Sequence, residues 1–298
     1  MEYKIPPEFE GRLLRDFLHS IPGLSGGILT ELKKADNGIT VNGQHKTVRY
    51  ICRKDDIVDL NLPETGRTDA APVCIPLDVI YEDDDMIAVN KPSGMPTHTS
   101  HNHHYDTLAN ALAYYYKDKN FVFRAANRLD NPTSGIVVVA KNRMAAFYLA
   151  DQFYKKEIIK TYYAVCHGVP DEKSGVIRKS IRRRAESVII RSVCDEGEGR
   201  ECVTGYECIS EGSICGERIC MMKLLPHTGR THQLRLHMAY IGTPICGDGL
   251  YGDGFDAGLG RLALHAGSLL IKRPSDGNNI LLSAEVPKEF YGLFYDKD

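Results

Sequence analysis

The sequence lacks several features that would have placed it quickly. No stretch of its 298 residues approaches the roughly 18 consecutive apolar positions that a membrane span requires. The N-terminus, Met1-Glu2-Tyr3-Lys4-Ile5-Pro6-Pro7, has no apolar signal core. A soluble cytoplasmic protein is the expectation. No C-x-x-C pair occurs among the nine cysteines, and their odd count and irregular spacing suit reduced thiols rather than a disulfide framework. There is neither a Walker lysine nor dinucleotide-type glycine spacing, so the glycine-rich stretch 242–252 reads as a tight loop without nucleotide. Tryptophan is absent, which excludes nothing. Charge of either sign is not in excess: the formal net charge is −2, which alone suggests no nucleic-acid partner and leaves local clusters to decide. With 43% hydrophobic residues the chain can bury a sizeable core, as one large domain or two.

Residues 1–62 read as a small separate domain. Residues 12–18 are amphipathic, with Leu14, Phe17 and Leu18 on one helical face. A second helix over 28–34, with Ser25 as its cap, carries Lys33 and Lys34 near its end. Asn37-Gly38-Ile39-Thr40-Val41-Asn42-Gly43-Gln44 is a short alternating strand between Asn-Gly turn signals. Lys46, Arg49, Arg53 and Lys54 follow. This pattern resembles the small RNA-binding domain first seen in a ribosomal small-subunit protein, whose G-x-x-V-N-G centre is matched by Gly38-Ile39-Thr40-Val41-Asn42-Gly43. The resemblance implies RNA contacts from Lys33, Lys34 and Asn42; an ordinary solvated helix–hairpin is the alternative. Residues 63–73 are polar, small and proline-bounded, as in a linker.

The second domain, 74–298, opens with two strands around an acidic turn, ending at Lys91-Pro92-Ser93-Gly94. Lys91 could face a phosphate or an acid, and a solvent-facing lysine is at least as common there. His98, His101, His103 and His104 share a polar loop, but no acid or cysteine completes a ligand set, so no metal is expected. Asp106 or Thr107 caps a helix over 108–117, whose Tyr114, Tyr115 and Tyr116 suit packing. Then Asn127-Arg128-Leu129-Asp130-Asn131-Pro132-Thr133-Ser134-Gly135 runs into Ile136-Val137-Val138-Val139-Ala140, too apolar and β-branched to be other than a buried strand. Asp130 therefore lies on a loop pinned by a rigid strand, where catalytic groups are often held; a plain turn cap is the other reading.

A helix is expected over 142–156 and a strand over 158–168, where period two puts Tyr162 and Tyr163 on opposite faces. The basic run 178–184, with Arg182 and Arg183, suits an RNA backbone or a solvated hairpin tip equally. Further strands are expected near 187–193, 201–209 and 218–225. Pro226-His227-Thr228-Gly229-Arg230-Thr231-His232-Gln233-Leu234-Arg235-Leu236-His237 leads into a helix over 231–241. Its first turns hold more donors than a structural role needs, and they suit phosphate or carboxylate. Two strands, around 269–271 and 280–282, and a short helix near Pro287 close the chain.

Four motifs in order now carry a resemblance to the RluA family of RNA pseudouridine synthases. They are Arg128-Leu129-Asp130-x-x-Thr133-Ser134-Gly135, Lys160-x-Tyr162-x-Ala164, Gly229-Arg230-Thr231-His232-Gln233-Leu234-Arg235-x-His237, and Gly247-Asp248 with Tyr251-Gly252 and Leu264-His265-Ala266. Asn127 departs from the family's common histidine, which puts any RNA contact from that position in doubt. The resemblance implies an α+β fold on a mixed, mainly antiparallel sheet, and a chemistry without metal, cofactor or energy source. It implies Asp130 as nucleophile, Tyr162 against the base, Arg235 as the cation that keeps Asp130 ionised, and RNA contacts from Arg128, Arg230 and His232. The partner is RNA, with large-subunit ribosomal RNA expected before tRNA, and the protein is expected to act as a monomer.

Overall fold

The structure is a computed structural model that describes residues 1–294 apart from 25, 185, 186, 188 and 196. Its first part comprises β1 (Glu2–Lys4), α1 (Leu14–Ser20), α2 (Gly26–Lys34), β2 (Ile39–Val41), β3 (Gln44–His45) and β4 (Ile57–Leu60). The strands form an antiparallel sheet in the order β1-β4-β2-β3. Leu14, Phe17 and Leu18 of α1 face the core that this sheet shares with Ile28 and Leu32 of α2. The Ser25 cap lies outside the described residues. Asn42 (φ 50°) and Gly43 (φ 75°) are both left-handed, as a two-residue hairpin turn of the primed type requires. The Asn42 amide donates to Asp56 at 2.8 Å and accepts from the Ile57 N–H at 2.9 Å, so its polar atoms hold the turn in shape.

Residues 63–73 contain no helix or strand, yet they are fastened down. Glu64 accepts from the Arg124 guanidinium at 2.5 Å and from the Arg143 N–H at 2.9 Å. The Thr68 hydroxyl bonds Phe121 and Phe123 backbone. Beside this strap, Met144 and Phe147 pack into the first core, and Arg143 pairs with Glu31. Polar composition is blind to such fastening, because every bond involves a partner distant in sequence.

The larger part holds β5 (Val79–Glu82), β6 (Met86–Lys91), α3 (Leu108–Tyr115), β7 (Arg124–Ala125), β8 (Ser134–Ala140), α4 (Arg143–Tyr154), β9 (Ile159–His167), β10 (Ser174–Arg178), β11 (Ser180–Arg183), β12 (Arg191–Cys194), β13 (Val203–Ile214), β14 (Glu217–Pro226), α5 (Gln233–Tyr240), β15 (Leu264–Lys272), β16 (Asn279–Ser283) and α6 (Lys288–Tyr291). Ten strands make one sheet in the order β10-β13-β14-β9-β15-β8-β6-β5, with β16 on β15 and β7 on β8. Only the β15–β8 pairing is parallel among the described residues, so the α+β, mainly antiparallel class is what forms.

All seven residues of β8 are buried, and the reason is alternation between two covers. Ile136 and Val138 pack with Ala145 and Leu149 of α4, while Val137 and Val139 pack with Leu108 and Leu112 of α3. A strand covered on both faces reads as one continuous apolar run. Thr107, not Asp106, caps α3 in a capping box with Asn110, and Asp106 instead meets His103 at 2.6 Å. Of the three tyrosines there, Tyr116 is buried, whereas Tyr114 and Tyr115 are exposed.

The basic run 178–184 is split by a strand break. Its second half, β11, pairs with β12 as a separate two-stranded hairpin. Two of its cations meet carboxylates, Lys179 on Asp195 at 3.1 Å and Arg182 on Glu198 at 3.0 Å.

Candidate active site

Gly135 is where the site begins. Here β8 and β15 run parallel, with Gly135 opposite Ala266. A Cβ on Gly135 would stand 2.3 Å from the Ala266 carbonyl oxygen, and its φ of +115° suits glycine alone. This close approach brings the start of β8, and the loop before it, against the start of β15 and, beyond it, Tyr162 in β9. Ser134 then ties to His265 Nδ1 at 2.9 Å.

The Asp130 loop is held by an account of its carbonyls. Leu129 O accepts from Thr97 Oγ1 at 3.4 Å and Asp130 O from the Thr133 N–H at 3.0 Å. Asn131 O accepts from Lys91 Nζ at 3.2 Å and from the Gly94 N–H at 3.0 Å, and Pro132 O from Ser93 Oγ at 2.7 Å. Four consecutive carbonyls are thus fixed. Lys91 is the residue that the sequence placed least well: it faces neither solvent nor a phosphate. It is fully buried and also bonds Pro92 O and Met95 O, at 2.9 and 2.7 Å. Burial pulls its ammonium down to about 7, against the opposing charge of Asp130. Asn127, the departure from the family pattern, bonds the backbone of Ile136 at 3.0 Å and Val138 at 2.8 Å, and so braces β8 from the other side.

Two side chains converge on Asp130 from the far wall. His232 Nε2 and Arg235 Nη1 each lie 3.8 Å from Asp130 Oδ2. The helix expected over 231–241 starts only at Gln233, because His232 is left-handed (φ 59°) and cannot continue an α-helix. The turn before α5 is shaped by Gln233, whose side chain bonds Thr228 Oγ1, the Arg230 N–H, Val203 O and Thr204 Oγ1. That places His232 and Arg235 on the side facing Asp130, while Arg230 stays exposed at the rim.

Arg235 is itself anchored. Its Nε and Nη2 grip Asp248 at 2.7 and 2.5 Å, a bidentate pair in which both side chains are almost wholly buried. Burial pushes the Asp248 carboxyl up, but Arg235 and the N–H groups of Leu250 and Tyr251 outweigh it and hold it below the ordinary carboxylate value. Tyr251 accepts from or donates to His232 Nδ1 at 2.8 Å and takes the Arg191 N–H at 3.0 Å. Burial lowers the affinity of His232 for its proton, with Asp130 opposing.

Asp130 lies between two cavities. One, about 420 Å³, is lined by Tyr162, Lys160, Thr133, Gly229 and Leu234; the other, about 820 Å³ and wider, by His98, Thr99, Pro132 and Leu250. Arg128, Asp130, His232 and Arg235 border both. Tyr162 faces the smaller cavity, whereas Tyr163 packs on the opposite side against Gly267. Burial, with the Asp130 charge adding, raises the Tyr162 hydroxyl well above its ordinary value.

The structure therefore brings together Arg128, Asp130, Tyr162, Arg230, His232 and Arg235. Lys33 and Lys34 stand exposed in the last turn of α2, and Arg182 and Arg183 on the β11–β12 hairpin, all four outside the two cavities. Missed by sequence reasoning were Lys91, Asp248 as the partner of Arg235, and Tyr251. The only signals for Asp248 and Tyr251 were their places in the ordered motifs, and for Lys91 its place at the end of a strand.

The site thus sets a carboxylate on a braced loop beside a cavity walled by a tyrosine and a buried arginine. The family model for RNA pseudouridylate synthase matches residues 85–240. An uncharacterised RNA pseudouridine synthase of Bacillus subtilis, YjbO, is 32% identical over 91% of this chain and 94% of its own. The ribosomal large subunit pseudouridine synthase D of Xanthomonas campestris is 32% identical over 97% of this chain and 90% of its own. Among solved structures, human RNA pseudouridylate synthase domain containing 1 superposes with a TM-score of 0.60 at 28% identity, over 75% of this chain and 86% of that one. The chain belongs to the RNA pseudouridylate synthase family and is an RNA pseudouridine synthase, an isomerase. No helix among the described residues is long and apolar enough to cross a membrane.

Proposed function

We propose that this enzyme isomerises uridines of structured RNA, large-subunit ribosomal RNA before tRNA, with Asp130 as the nucleophile. The observation that carries the reading is Asp130 itself, on a loop whose four carbonyls are fixed, with Arg235 and His232 at 3.8 Å on one side and the Tyr162 cavity on the other. The ribosomal target is supported by the relatives named for the large ribosomal subunit.

In this reading the target uridine leaves its stack and enters the smaller cavity against Tyr162. The bond between uracil N1 and ribose C1′ breaks, and the Asp130 carboxylate either bonds C1′ or shields its electron deficiency. The detached ring rotates, C5 bonds to C1′ as any Asp130–C1′ bond breaks and returns its electron pair to the carboxylate, the C5 proton leaves and N1 gains one. Tyr162 packs on the ring and is placed to relay a proton. Arg235, gripped by Asp248, sets a positive charge 3.8 Å from Asp130. Arg128, exposed at the border of both cavities, contacts a phosphate or fills the space that the base leaves. Arg230 and His232 line the RNA path.

Residues 1–62 act as an RNA-binding domain in the same reading, with Lys33 and Lys34 exposed toward the backbone and Asn42 shaping the hairpin. Phosphate contacts of this kind supply affinity and register. The test is to map pseudouridines in total RNA with and without the gene. Loss at one or a few ribosomal positions, restored by the purified enzyme on the unmodified transcript, is expected. An unchanged map, together with no conversion of ribosomal or transfer RNA transcripts, would contradict the reading.

A further inference from the structure

Among the described residues Lys160 is the one lysine lining the smaller cavity, and nothing in the mechanism above uses it. It stands on β9 two residues before Tyr162, so alternation puts both side chains on one face of the strand. Its Nζ abuts the turn before α5: a Cβ built on Gly229 would lie 3.4 Å from it. Among the described residues it has no carboxylate and no hydrogen-bond acceptor, and burial alone lowers its affinity for a proton. The other cations around Asp130 differ. Arg235 is held by Asp248, Lys91 by three carbonyls, and Arg128 and Arg230 are exposed to water. A half-buried ammonium without an acceptor destabilises the free protein, and a ligand atom that accepts its hydrogen bond relieves that cost.

The reaction brings such an atom into this cavity. When N1–C1′ breaks, the bonding pair stays on the ring, and the charge spreads to the carbonyl oxygens O2 and O4. We propose that Lys160 Nζ donates to a uracil carbonyl oxygen and stabilises the negative charge that the ring carries once the N1–C1′ bond is broken. This deepens the reading of the smaller cavity as the uracil site and rests on it. Lys160 keeps its proton throughout: C5 later gives its electron pair to C1′, the C5 proton departs, and N1 is protonated, so atoms and charge balance without a co-reactant. A donor aimed at charge that develops during the reaction accelerates it more than it tightens ground-state binding.

The test compares wild type, Lys160→Met and Lys160→Arg in single turnover on unmodified ribosomal and transfer RNA transcripts, made with uridine or with 5-fluorouridine, whose base leaves as a more stable anion. Cleavage of N1–C1′ is followed by nuclease digestion and mass spectrometry, and RNA affinity is measured across salt. Lys160→Met should lose about a hundredfold in rate on uridine, the scale for removing one such donor. On 5-fluorouridine the loss should be clearly smaller, RNA affinity and its salt slope should stay within about twofold, and Lys160→Arg should recover part of the rate. Equal losses on both bases, or weaker RNA binding with a shallower salt slope, would overturn the proposal in favour of a structural or phosphate role. A wild-type rate in Lys160→Met would overturn it while leaving the isomerase reading intact. Inactivity of the wild type on every transcript would instead remove that reading, and this one with it.

Discussion

Two arginine-bearing regions were candidates for function, and the structure treats them in opposite ways. On α5, Arg235 is almost wholly buried, gripped through two nitrogens by an equally buried Asp248, and aimed at Asp130. On the β11–β12 hairpin, Arg182 stands half exposed and meets Glu198 through one nitrogen. Both are ion pairs, and their weight differs by an order of magnitude. Removing one partner of a buried pair costs about 3–5 kcal/mol, because the other charge is left stranded. An exposed pair is worth roughly 0–1 kcal/mol and is screened by salt. The first region fixes geometry; the second can only add long-range attraction for a polyanion.

That contrast can be broken most sharply at Arg235. Arg235→Met should destabilise the protein by about 3–5 kcal/mol by urea unfolding and lower the isomerisation rate by at least about a hundredfold. Adding Asp248→Asn should restore most of the stability and none of the rate. A double variant that regains activity would show that Arg235 serves only to neutralise Asp248.

The next test uses pH. His237, also on α5 and fully buried, bonds Thr204 at 2.9 Å. Burial pulls it down to about 4, and buried His265 likewise to about 4. A histidine whose folded value lies below its unfolded one binds its proton preferentially in the unfolded chain. Stability is therefore undiminished above the unfolded value near 6.5 and falls as pH drops from there toward 4. The loss approaches about 3 kcal/mol per histidine. Tm measured from pH 7.5 to 4.5 should fall in wild type, and His237→Gln should flatten part of that fall. A parallel slope in the variant would contradict the buried neutral state.

The smallest effect belongs to the hairpin. Arg182→Glu with Arg183→Glu should change stability by less than about 1 kcal/mol. RNA affinity should weaken several-fold with a shallower salt dependence, and the single-turnover rate at saturating RNA should not change. A lost rate at saturation would make the hairpin part of the site.

What the sequence could reveal follows the same divide between local and distant partners. The β8 strand, the α1 face and, to within one residue, the α3 cap were legible because their signals lie within a few residues: an unbroken β-branched run, helical spacing, Asp106-Thr107 before an apolar stretch. Asp130, Tyr162 and Arg235 were legible through ordered motifs, and the structure brings them to one place. Their supports were not. Lys91 reaches Asn131 across 40 residues, and Arg235 reaches Asp248 across 13, from helix α5 into the glycine-rich loop that follows it. No periodicity reports such bonds. The start of α5 was misjudged because the backbone at His232 is left-handed, a conformation that a histidine's neighbours do not announce. The strap at 63–73 was equally hidden, since a polar segment looks the same whether free or bonded.

The central claim is that Asp130 performs the chemistry from a loop built to hold it still. Asp130→Asn keeps the size of the side chain and every carbonyl bond of the loop, and removes only the charge. Pseudouridine formation by this variant, on a transcript that the wild type converts, decides the matter. The account predicts no detectable pseudouridine, with Tm and RNA affinity near those of the wild type. A variant that still converts the transcript at a wild-type rate would contradict it.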